Sequence, residues 1–270
     1  MILNCPKCHE TLEKKDKTYE CCNGHSYDIA KEGYVNLMLA NQKHSKEPGD
    51  SKESLRCRQK FLGNGYYESL ALYLQYSINK YLNDGDTFLD AGCGTGYYLN
   101  IVAQGEKELE LYATDIAKAG VAMSSKQVKE ATCFVGSVFH LPMADESLNG
   151  LMSVFCPYSA EEFYRVTKKG GYIWAVTPGE RHLYEIKDIV YDEPYLNEET
   201  GYELPGFSLV ENHKVTYVMD LNNKEDINTL WMMTPYYHTT AMENNEKILS
   251  MDHVTATADF LVSLYRKEAE

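Results

Sequence analysis

Residues 87–96 read Thr-Phe-Leu-Asp-Ala-Gly-Cys-Gly-Thr-Gly, a short apolar strand that runs directly into a glycine-rich turn. The apolar segment that starts at Leu99 predicts a helix behind the turn, because this strand–turn–helix order is typical of nucleoside-binding α/β folds. A second predicted strand, residues 110–114, leads into Asp115, about 20 residues beyond the turn. An acidic residue at that distance accepts hydrogen bonds from a ribose diol, so the pattern predicts a site for a nucleoside-bearing cofactor.

The glycine spacing distinguishes between two classes of cofactor. A dinucleotide fingerprint has the spacing Gly-x-Gly-x-x-Gly and places a diphosphate at the helix N-terminus. Here Gly92, Gly94 and Gly96 are spaced Gly-x-Gly-x-Gly behind Asp90, whose negative charge disfavours a diphosphate. The pattern resembles the class I S-adenosylmethionine (SAM)-dependent methyltransferases, whose cofactor has a sulfonium and an amino-acid tail but no phosphate. The resemblance implies that these four residues bind SAM and that Asp115 holds its ribose.

Apolar runs separated by turns continue after this motif and predict a doubly wound α/β fold. The predicted elements are strands 132–135, 148–155 and 172–177, a helix over 161–167, and apolar segments at 207–210, 214–218 and 254–264. The apolar segments would complete a mixed sheet whose last strand is antiparallel. We therefore expect a Rossmann-like class I methyltransferase domain with a mostly parallel sheet.

Four cysteines lie near the start of the chain, in the pattern Cys5-Pro-Lys-Cys8, then Cys21 and Cys22, then His25. A Cys-x-x-Cys pair on a tight turn aims two thiolates at one point, and a second pair of ligands completes the tetrahedral site that zinc prefers. So short a segment cannot bury a large core of its own, and a metal ion would stabilise it. The pattern predicts a small N-terminal zinc ribbon whose structural zinc is bound by Cys5, Cys8, Cys21 and His25.

The spacing leaves alternatives open at this site. Cys22 could replace Cys21 as the third ligand, and His9 is a further candidate. Two disulfides, or reduced cysteines without a metal, would account for the same four cysteines. Disulfides fit poorly with a chain in which no export signal is visible, so zinc is the favoured interpretation.

The formal net charge of −14 argues against a protein that coats nucleic acid through bulk charge. The charge is unevenly distributed, because residues 1–70 carry a net charge of +1 and residues 71–270 one of −15. The first part contains a basic stretch made of Lys43, Lys46, Lys52, Arg56, Arg58 and Lys60. We expect a helix over residues 51–62, capped by Asp50 or Ser51, whose basic side chains either contact RNA phosphates or form a solvated face.

The composition, 44% hydrophobic and 24% charged, is that of an ordinary globular protein. Every apolar run is shorter than the ~20 residues that a membrane span needs. No basic flank followed by an apolar stretch marks a signal peptide. We therefore expect a cytoplasmic protein without a membrane partner.

Further short motifs occur along almost the whole chain. They are Ala30-Lys-Glu-Gly-Tyr-Val-Asn-Leu37, Pro48-Gly-Asp-Ser51, Phe61-Leu62, Gly92-Cys-Gly-Thr-Gly-Tyr-Tyr98, Thr177-Pro-Gly179, Arg181-His-Leu183 and Met233-Thr-Pro235. With the Cys/His pattern, and in this order, they resemble the 23S ribosomal RNA (guanine-N1)-methyltransferases of the RlmA (RrmA) type. The resemblance implies that Tyr67, Gly94, Thr95 and His182 contact SAM. The chain departs from the methyltransferase pattern at Ser137, where an Asp usually binds the adenine amine.

By this resemblance the chain would transfer the methyl group of SAM to N1 of a guanine in a hairpin loop of 23S ribosomal RNA, as a homodimer. Residues 1–40 would be a zinc-ribbon RNA-recognition module, residues 41–70 a basic linker and helix, and residues 71–270 the methyltransferase domain, with a substrate insert near 185–250. Some family members protect the ribosome against macrolides, so macrolide resistance is a further expectation. No residue stands out in the sequence as the acceptor of the guanine N1 proton.

Two other functions fit the same features. One is a methyltransferase of this fold that acts on a small molecule, and the other is a zinc-ribbon RNA-binding protein with an inactive methyltransferase fold. The intact run from Asp90 to Gly96 argues against the inactive fold. Trp231, Tyr236 and Tyr237 are candidate walls of a guanine pocket, although core packing is the commoner role of such aromatics.

Overall fold

The computed structural model describes residues 2–42 and 48–269. Its N-terminal part contains a three-stranded antiparallel sheet in the order β1-β2-β3, in which Tyr19 of the middle strand pairs with Lys14 and Tyr27. The elements of this part are β1 Glu13–Lys15, β2 Thr18–Glu20, β3 Ser26–Asp28, β4 Val35–Asn36 and a 3-10 helix over Ala40–Gln42. This small sheet confirms the ribbon that the cysteine pattern predicts.

The ribbon is packed directly onto the rest of the chain. Leu3, Leu12 and Tyr19 are buried in one apolar cluster with Leu89 of the following domain. The N–H of Asn4 donates a hydrogen bond to the carbonyl of Pro142 at 2.9 Å. The ribbon therefore shares a core with the larger domain.

Two helices connect the ribbon to the first strand of that domain, α1 at Lys52–Gly63 and α2 at Glu68–Tyr81. Ser51 caps α1, since its hydroxyl accepts the N–H of Ser54 at 3.1 Å. Both the helix and its cap were predicted from the sequence. Phe61 is fully buried and stacks on Tyr66 with ring centroids 4.7 Å apart. These contacts fix α1 to the body of the protein.

The large domain is an α/β fold built on one mixed sheet. The described residues form eight strands in the order β10-β11-β9-β8-β5-β6-β7-β4, in which β4 to β9 pair in parallel and β9, β11 and β10 pair antiparallel. The elements are β5 Thr87–Ala91, α3 Tyr97–Val102, β6 Glu110–Asp115, α4 Lys118–Gln127, β7 Thr132–Val135, β8 Leu148–Val154, α5 Ala160–Val166, β9 Thr167–Pro178, α6 Tyr184–Val190, β10 Phe207–Leu221, α7 Lys224–Met232, α8 Tyr236–Thr239, α9 Met242–Leu249 and β11 Val254–Lys267. The predicted fold class is confirmed, including the antiparallel last strand.

The two apolar segments predicted at 207–210 and 214–218 form one continuous edge strand, β10, with an irregularity in register between Leu209 and Glu211. Polar residues in its middle hid this continuity from the sequence pattern. Among the described residues β10 pairs with β11 alone, so its other edge is left without a partner strand, and half-buried residues alternate with exposed ones along much of it. Polar side chains are therefore tolerated along it.

The carboxyl ends of the parallel strands β5, β6, β8 and β9 lie at one edge of the sheet. Loops at that edge bind ligands in open α/β folds. Helix α6 precedes β10, and helices α7 to α9 lie between the antiparallel strands β10 and β11, so all four lie within or beside the expected substrate insert. Within the residues that the structure describes, no helix is both long enough and apolar enough to cross a membrane.

Candidate cofactor and metal sites

The glycine-rich turn between β5 and α3 has an unusual backbone. Gly92, Gly94 and Gly96 all have left-handed φ angles, of 85°, 49° and 83°, which side-chain-bearing residues rarely adopt. The N–H of Gly92 donates to the carbonyl of Thr114 at 2.8 Å, which ties the turn to the end of β6. A Cβ at position 92 would lie 2.7 Å from the Cβ of Cys156, and closer still to its sulfur. Glycine is therefore required at position 92 both by conformation and by space.

Asp115 at the end of β6 is held against this turn. Its Oδ2 accepts the N–H of Gly94 at 2.9 Å, and its Oδ1 accepts the N–H of Ala117 at 2.7 Å. Burial raises the pKa of this carboxyl group, whereas the two N–H donors act to lower it. The structure thus brings Asp115, the residue predicted to bind the ribose, next to the glycine turn. Both of its carboxylate oxygens face backbone N–H groups there.

Asp90, at the end of β5, is a buried carboxyl group with an unused oxygen. Among the described residues no donor reaches its Oδ2, although the atom is shielded from solvent. Burial, and then the nearby negative charge of Asp115, raise the pKa of Asp90 well above its ordinary range. A buried polar atom without a partner is costly unless a ligand supplies one. Thr95 is buried in the same turn.

Tyr67 and His182 come from distant parts of the chain and meet beside β11. The hydroxyl oxygen of Tyr67 lies 3.4 Å from Nε2 of His182, and Nδ1 of His182 accepts the backbone N–H of Asp259 at 3.3 Å. Because Nδ1 is an acceptor, the neutral ring carries its proton on Nε2, and this N–H donates a hydrogen bond to the hydroxyl oxygen of Tyr67. Burial lowers the pKa of His182 to about 4. At neutral pH the ring is therefore an uncharged donor.

This burial predicts a pH dependence of stability. The folded-state pKa of His182 lies below the ordinary value of about 6.5. The contribution of the neutral ring to the free energy of unfolding is therefore complete above pH 6.5 and is lost as the pH falls toward 4. The loss should amount to about 3 kcal/mol in the free energy of unfolding. Since Asp90 and Asp115 titrate with the opposite sign, the measurement is the difference between wild type and His182→Gln by urea unfolding at pH 7 and pH 4. A difference that does not change with pH would contradict this burial.

Phe155 is a candidate site residue that the sequence analysis did not single out. It directly follows β8 at the ligand-binding edge of the sheet, has a left-handed φ of 52°, and is 41% exposed. Its ring lies nearly parallel to that of His182, with centroids 6.1 Å apart. Strained backbone at a bulky residue clusters at functional sites. The sequence signal would have been the position of this aromatic residue at the very end of the fourth predicted strand, residues 148–155.

The basic stretch is not one continuous surface in the structure. Lys43 and Lys46 lie outside the described residues, and Arg56 is exposed on α1. Lys60 forms an ion pair with Glu225, and Arg58 forms one with Asp50. The remaining predicted member, Lys52, is exposed at the start of α1. The helix therefore directs Arg58 toward the methyltransferase domain instead of presenting it together with Arg56.

The four predicted zinc ligands converge in the ribbon. One potential ligand atom from each of Cys5, Cys8, Cys21 and His25 lies within 4.8 Å of all the others. Nδ1 of His25 is 3.4 Å from the sulfur of Cys5 and also 3.4 Å from that of Cys21. The hydroxyl of Tyr27 lies 3.1 Å from the sulfur of Cys5 and can donate to a thiolate there. Three thiols and one imidazole nitrogen form the closed ligand set of a structural zinc site.

The structure decides between the alternatives for this site. Cys22 and His9 are exposed and do not belong to the converging group. Every cysteine is free, and the sulfurs of Cys8 and Cys21 are 3.6 Å apart, too far for a disulfide bond. Cys21, not Cys22, is the third cysteine of the cluster.

The aromatic residues proposed for a guanine pocket take different roles. Trp231 is fully buried and donates to Oδ1 of Asn245 at 2.6 Å, so it is a core residue and not a pocket wall. Tyr236 lines an open cavity of about 640 Å³ beside the end of β9. The ammonium group of buried Lys187 lies 5.3 Å from the centre of the Tyr236 ring. Tyr237 is half-buried and is not among the residues that line this cavity.

Two protein-family models match the chain. The zinc-ribbon model described as "RlmA, N-terminal" matches residues 3–46, and the model described as "Methyltransferase domain" matches residues 89–175. The first segment contains all four residues of the Cys/His cluster, and the second contains the glycine turn and both aspartates. The first segment is thus a zinc-binding segment, and the second is a SAM-binding segment.

Three relatives match over almost the whole chain. The 23S rRNA (guanine(748)-N(1))-methyltransferase of Streptomyces fradiae is 27% identical over 93% of this chain and 80% of its own length. Proteins of Micromonospora griseorubida and Bacillus subtilis, provisionally named 23S rRNA (guanine-N(1)-)-methyltransferases, are 27% and 26% identical over 98% and 96% of this chain, and over 97% and 94% of their own lengths. The chain therefore combines an RlmA-type N-terminal zinc ribbon with a methyltransferase domain. Among solved structures, a provisionally named methyltransferase in complex with the Trm112 activator from Haloferax volcanii has the same fold, with a TM-score of 0.52 and 14% identity over 82% of this chain and 99% of that chain.

The geometry of the glycine turn in this chain fits SAM. The turn leaves no room for a side chain at Gly92, and Asp90 offers a buried acceptor without a partner. The positive charges of the SAM sulfonium and ammonium groups would offset the paired negative charges of Asp90 and Asp115. A diphosphate would instead add negative charge to these carboxyl groups.

Proposed function

We propose that the chain transfers the methyl group of SAM to N1 of a guanine in a hairpin loop of 23S ribosomal RNA. The observation that carries the proposal is that a closed Cys₃His cluster and a methyltransferase glycine turn share one packed core. The chain that contains them matches guanine-N1 methyltransferases along nearly its whole length. A cytoplasmic location and a homodimeric state, both taken from the resemblance, are part of the same proposal.

We assign the cofactor-binding roles within this proposal residue by residue. Asp115 holds the ribose, and Asp90 supplies an acceptor to the positively charged tail. The backbone of Gly92, Gly94, Thr95 and Gly96 forms the turn on which SAM rests. Tyr67 and His182 form the side of the site that faces β11 and contact the methionine part as neutral groups, because burial keeps His182 uncharged and raises the pKa of Tyr67.

The reaction is a displacement in which guanine N1 forms a bond to the methyl carbon as the carbon–sulfur bond breaks. SAM supplies a methyl group activated by the sulfonium charge, and S-adenosylhomocysteine is the leaving group. N1 carries a proton at neutral pH, and that proton must leave the base for a neutral product to form. His182 uses both ring nitrogens in hydrogen bonds and has a lowered pKa, so we assign it a positioning role and not that of the base.

We place the target guanine against Phe155. An aromatic side chain exposed at the ligand-binding edge of the sheet provides a face on which an unstacked base can lie. Its left-handed backbone holds the ring beside His182 at an energetic cost that the surrounding fold must offset. Single-stranded loops suit this mode of recognition, because their bases can be splayed out of the stack.

The ribbon, residues 1–40, is the proposed RNA-recognition module. The charge distribution supports this role, since the domain that follows carries a strong net negative charge that repels non-specific polyanion. RNA would therefore be bound selectively along the near-neutral N-terminal part, with its target base inserted at the edge of the sheet.

The proposal is tested by a methyl-transfer assay and by mass mapping of 23S ribosomal RNA. RNA from cells that lack the protein should miss one methyl group on one guanine and should accept it from SAM when the purified protein is added. Asp90→Ala should reduce this transfer by at least about 100-fold, because it removes a buried acceptor for the positively charged tail of the cofactor. Asp252→Ala, at an exposed aspartate, is the matched control and should methylate normally.

Other results would favour the alternatives. Equal methylation by Asp90→Ala would refute the assignment of the glycine turn. An unchanged ribosomal RNA, together with SAM turnover on a small molecule, would identify a small-molecule methyltransferase. Absence of SAM binding in the wild-type protein would indicate an RNA-binding protein with an inactive fold.

A further inference from the structure

A positively charged side chain lies at the glycine turn although it comes from outside the methyltransferase segment. Arg58 is on α1, in the stretch between the ribbon and the cofactor domain. Its Nη1 is 3.6 Å from the point where a Cβ on Gly94 would lie, which places the guanidinium directly over the turn. Burial raises the pKa of Asp115, Tyr67 and Cys156, and the charge of Arg58 acts against this rise in all three, as expected for a cation among these groups.

The position of Arg58 is fixed by packing on both sides. Leu55 and Phe61 of α1 are fully buried, so the helix cannot rotate without exposing them. Gly49, just before the helix, has a left-handed φ of 80°, and a Cβ there would lie 2.9 Å from the Cβ of Ala117. The start of α1 is thus seated on the loop that follows Asp115. Arg58 is consequently held beside the glycine turn and is not part of a loose basic linker.

The charges around the turn call for such a cation. Asp90 and Asp115 lie at the turn, and Asp50 lies close by, paired with Arg58. SAM carries a carboxylate on its methionine tail, and this anion would be repelled by three aspartates. A guanidinium has five donors in a planar fork and is suited to binding carboxylates, including two at once.

We propose that Arg58 binds the carboxylate of the methionine tail of SAM and of its product S-adenosylhomocysteine. Asp50 orients the guanidinium from the other side. The proposal rests on SAM being the cofactor, and it makes the helix that follows the ribbon part of the cofactor site. It also reassigns Arg58, which the sequence alone grouped with candidate RNA-binding residues.

The test compares two ligands that differ only in the carboxylate. Calorimetry measures the binding of S-adenosylhomocysteine and of its decarboxylated analogue, 5′-(3-aminopropylthio)-5′-deoxyadenosine, to the full chain. Arg58→Gln should weaken S-adenosylhomocysteine binding by about 10- to 100-fold and change binding of the analogue by less than about threefold. Arg58→Lys keeps the positive charge without the planar guanidinium, so its affinity for S-adenosylhomocysteine should lie between those of wild type and Arg58→Gln. Arg56→Gln, at an exposed position on the same helix, should leave both affinities unchanged.

Three results would overturn the proposal. If Arg58→Gln weakened the binding of both ligands equally, the residue would act on the fold and not on the carboxylate. If it left S-adenosylhomocysteine binding unchanged and weakened only RNA binding, Arg58 would be an RNA contact. If the wild-type protein bound neither ligand, the proposed methyltransferase function would fail first, which separates that failure from a wrong assignment of Arg58.

Discussion

Replacing Gly92 with alanine should weaken SAM binding by more than about 100-fold and abolish methyl transfer, although the substitution adds one methyl group. The reason is steric as well as conformational. Gly92 has a φ of 85°, and a Cβ there would overlap the side chain of Cys156, which follows β8 across the edge of the sheet. To relieve this overlap the turn must move, and Asp90 and the N–H of Gly94 would move with it. Calorimetry with S-adenosylhomocysteine measures the effect directly.

A matched control separates the collision from the backbone strain. Gly85 has a φ of 81°, almost the same as Gly92, but a Cβ at that position would meet nothing within 4 Å. Gly85→Ala should therefore cost only the left-handed backbone penalty, about 1 kcal/mol in stability, and should leave cofactor affinity intact. Equal loss of cofactor binding in the two variants would mean that the fit at Cys156 does not shape the site. Normal binding by Gly92→Ala would show that the turn is not the cofactor cradle.

The cofactor turn was predictable because its signal is local. A strand, three glycines and a helix occupy one short stretch, and the acid on the next strand follows at a regular distance. The structure confirms that Asp115 reaches the turn, because parallel neighbours β5 and β6 bring their carboxyl ends together. Tyr67 and His182 are far apart in the chain, and a family resemblance was needed to find them.

Residues positioned by tertiary packing were harder to interpret. Arg56, Arg58 and Lys60 alternate along one helix, and nothing in their spacing tells which of them faces the glycine turn. The answer depends on the partners of α1, which burial of Leu55 and Phe61 reveals only in the structure. A basic residue between two domains therefore looks like an RNA contact in sequence and like a cofactor contact in the fold.

Backbone strain and edge strands are a second class of feature that sequence patterns conceal. The left-handed φ of Phe155 has no signature in residue type, because aromatic residues disfavour it. The middle of β10 is polar because the strand lies at the edge of the sheet, so its hydrophobic period is interrupted. In both cases the surrounding fold overrides the local preference, which is why Phe155 became a candidate site residue only with the structure.

The second large effect is expected at the zinc cluster, where two adjacent cysteines provide a matched pair. Cys21→Ser should lower the zinc content from one ion per chain to below about a tenth and weaken zinc binding by well over 100-fold, more than loss of an outer hydrogen bond costs. Cys22→Ser should keep one zinc per chain, because Cys22 is exposed and outside the converging ligand atoms. Elemental analysis of the purified proteins gives both values.

Loss of zinc should also release the ribbon from the methyltransferase domain. The buried side chains of Leu3, Leu12 and Tyr19 belong to a shared core, but the three short strands around them cannot hold this arrangement without the metal. Limited proteolysis should therefore cut Cys21→Ser within residues 1–30 and leave Cys22→Ser intact. Tyr27→Phe removes only the hydrogen bond to Cys5 and should weaken zinc binding by about 10- to 100-fold, which places it between the two serine variants. Zinc lost from Cys22→Ser and retained by Cys21→Ser would reverse the ligand assignment, and zinc absent from the wild-type protein would refute the metal site itself.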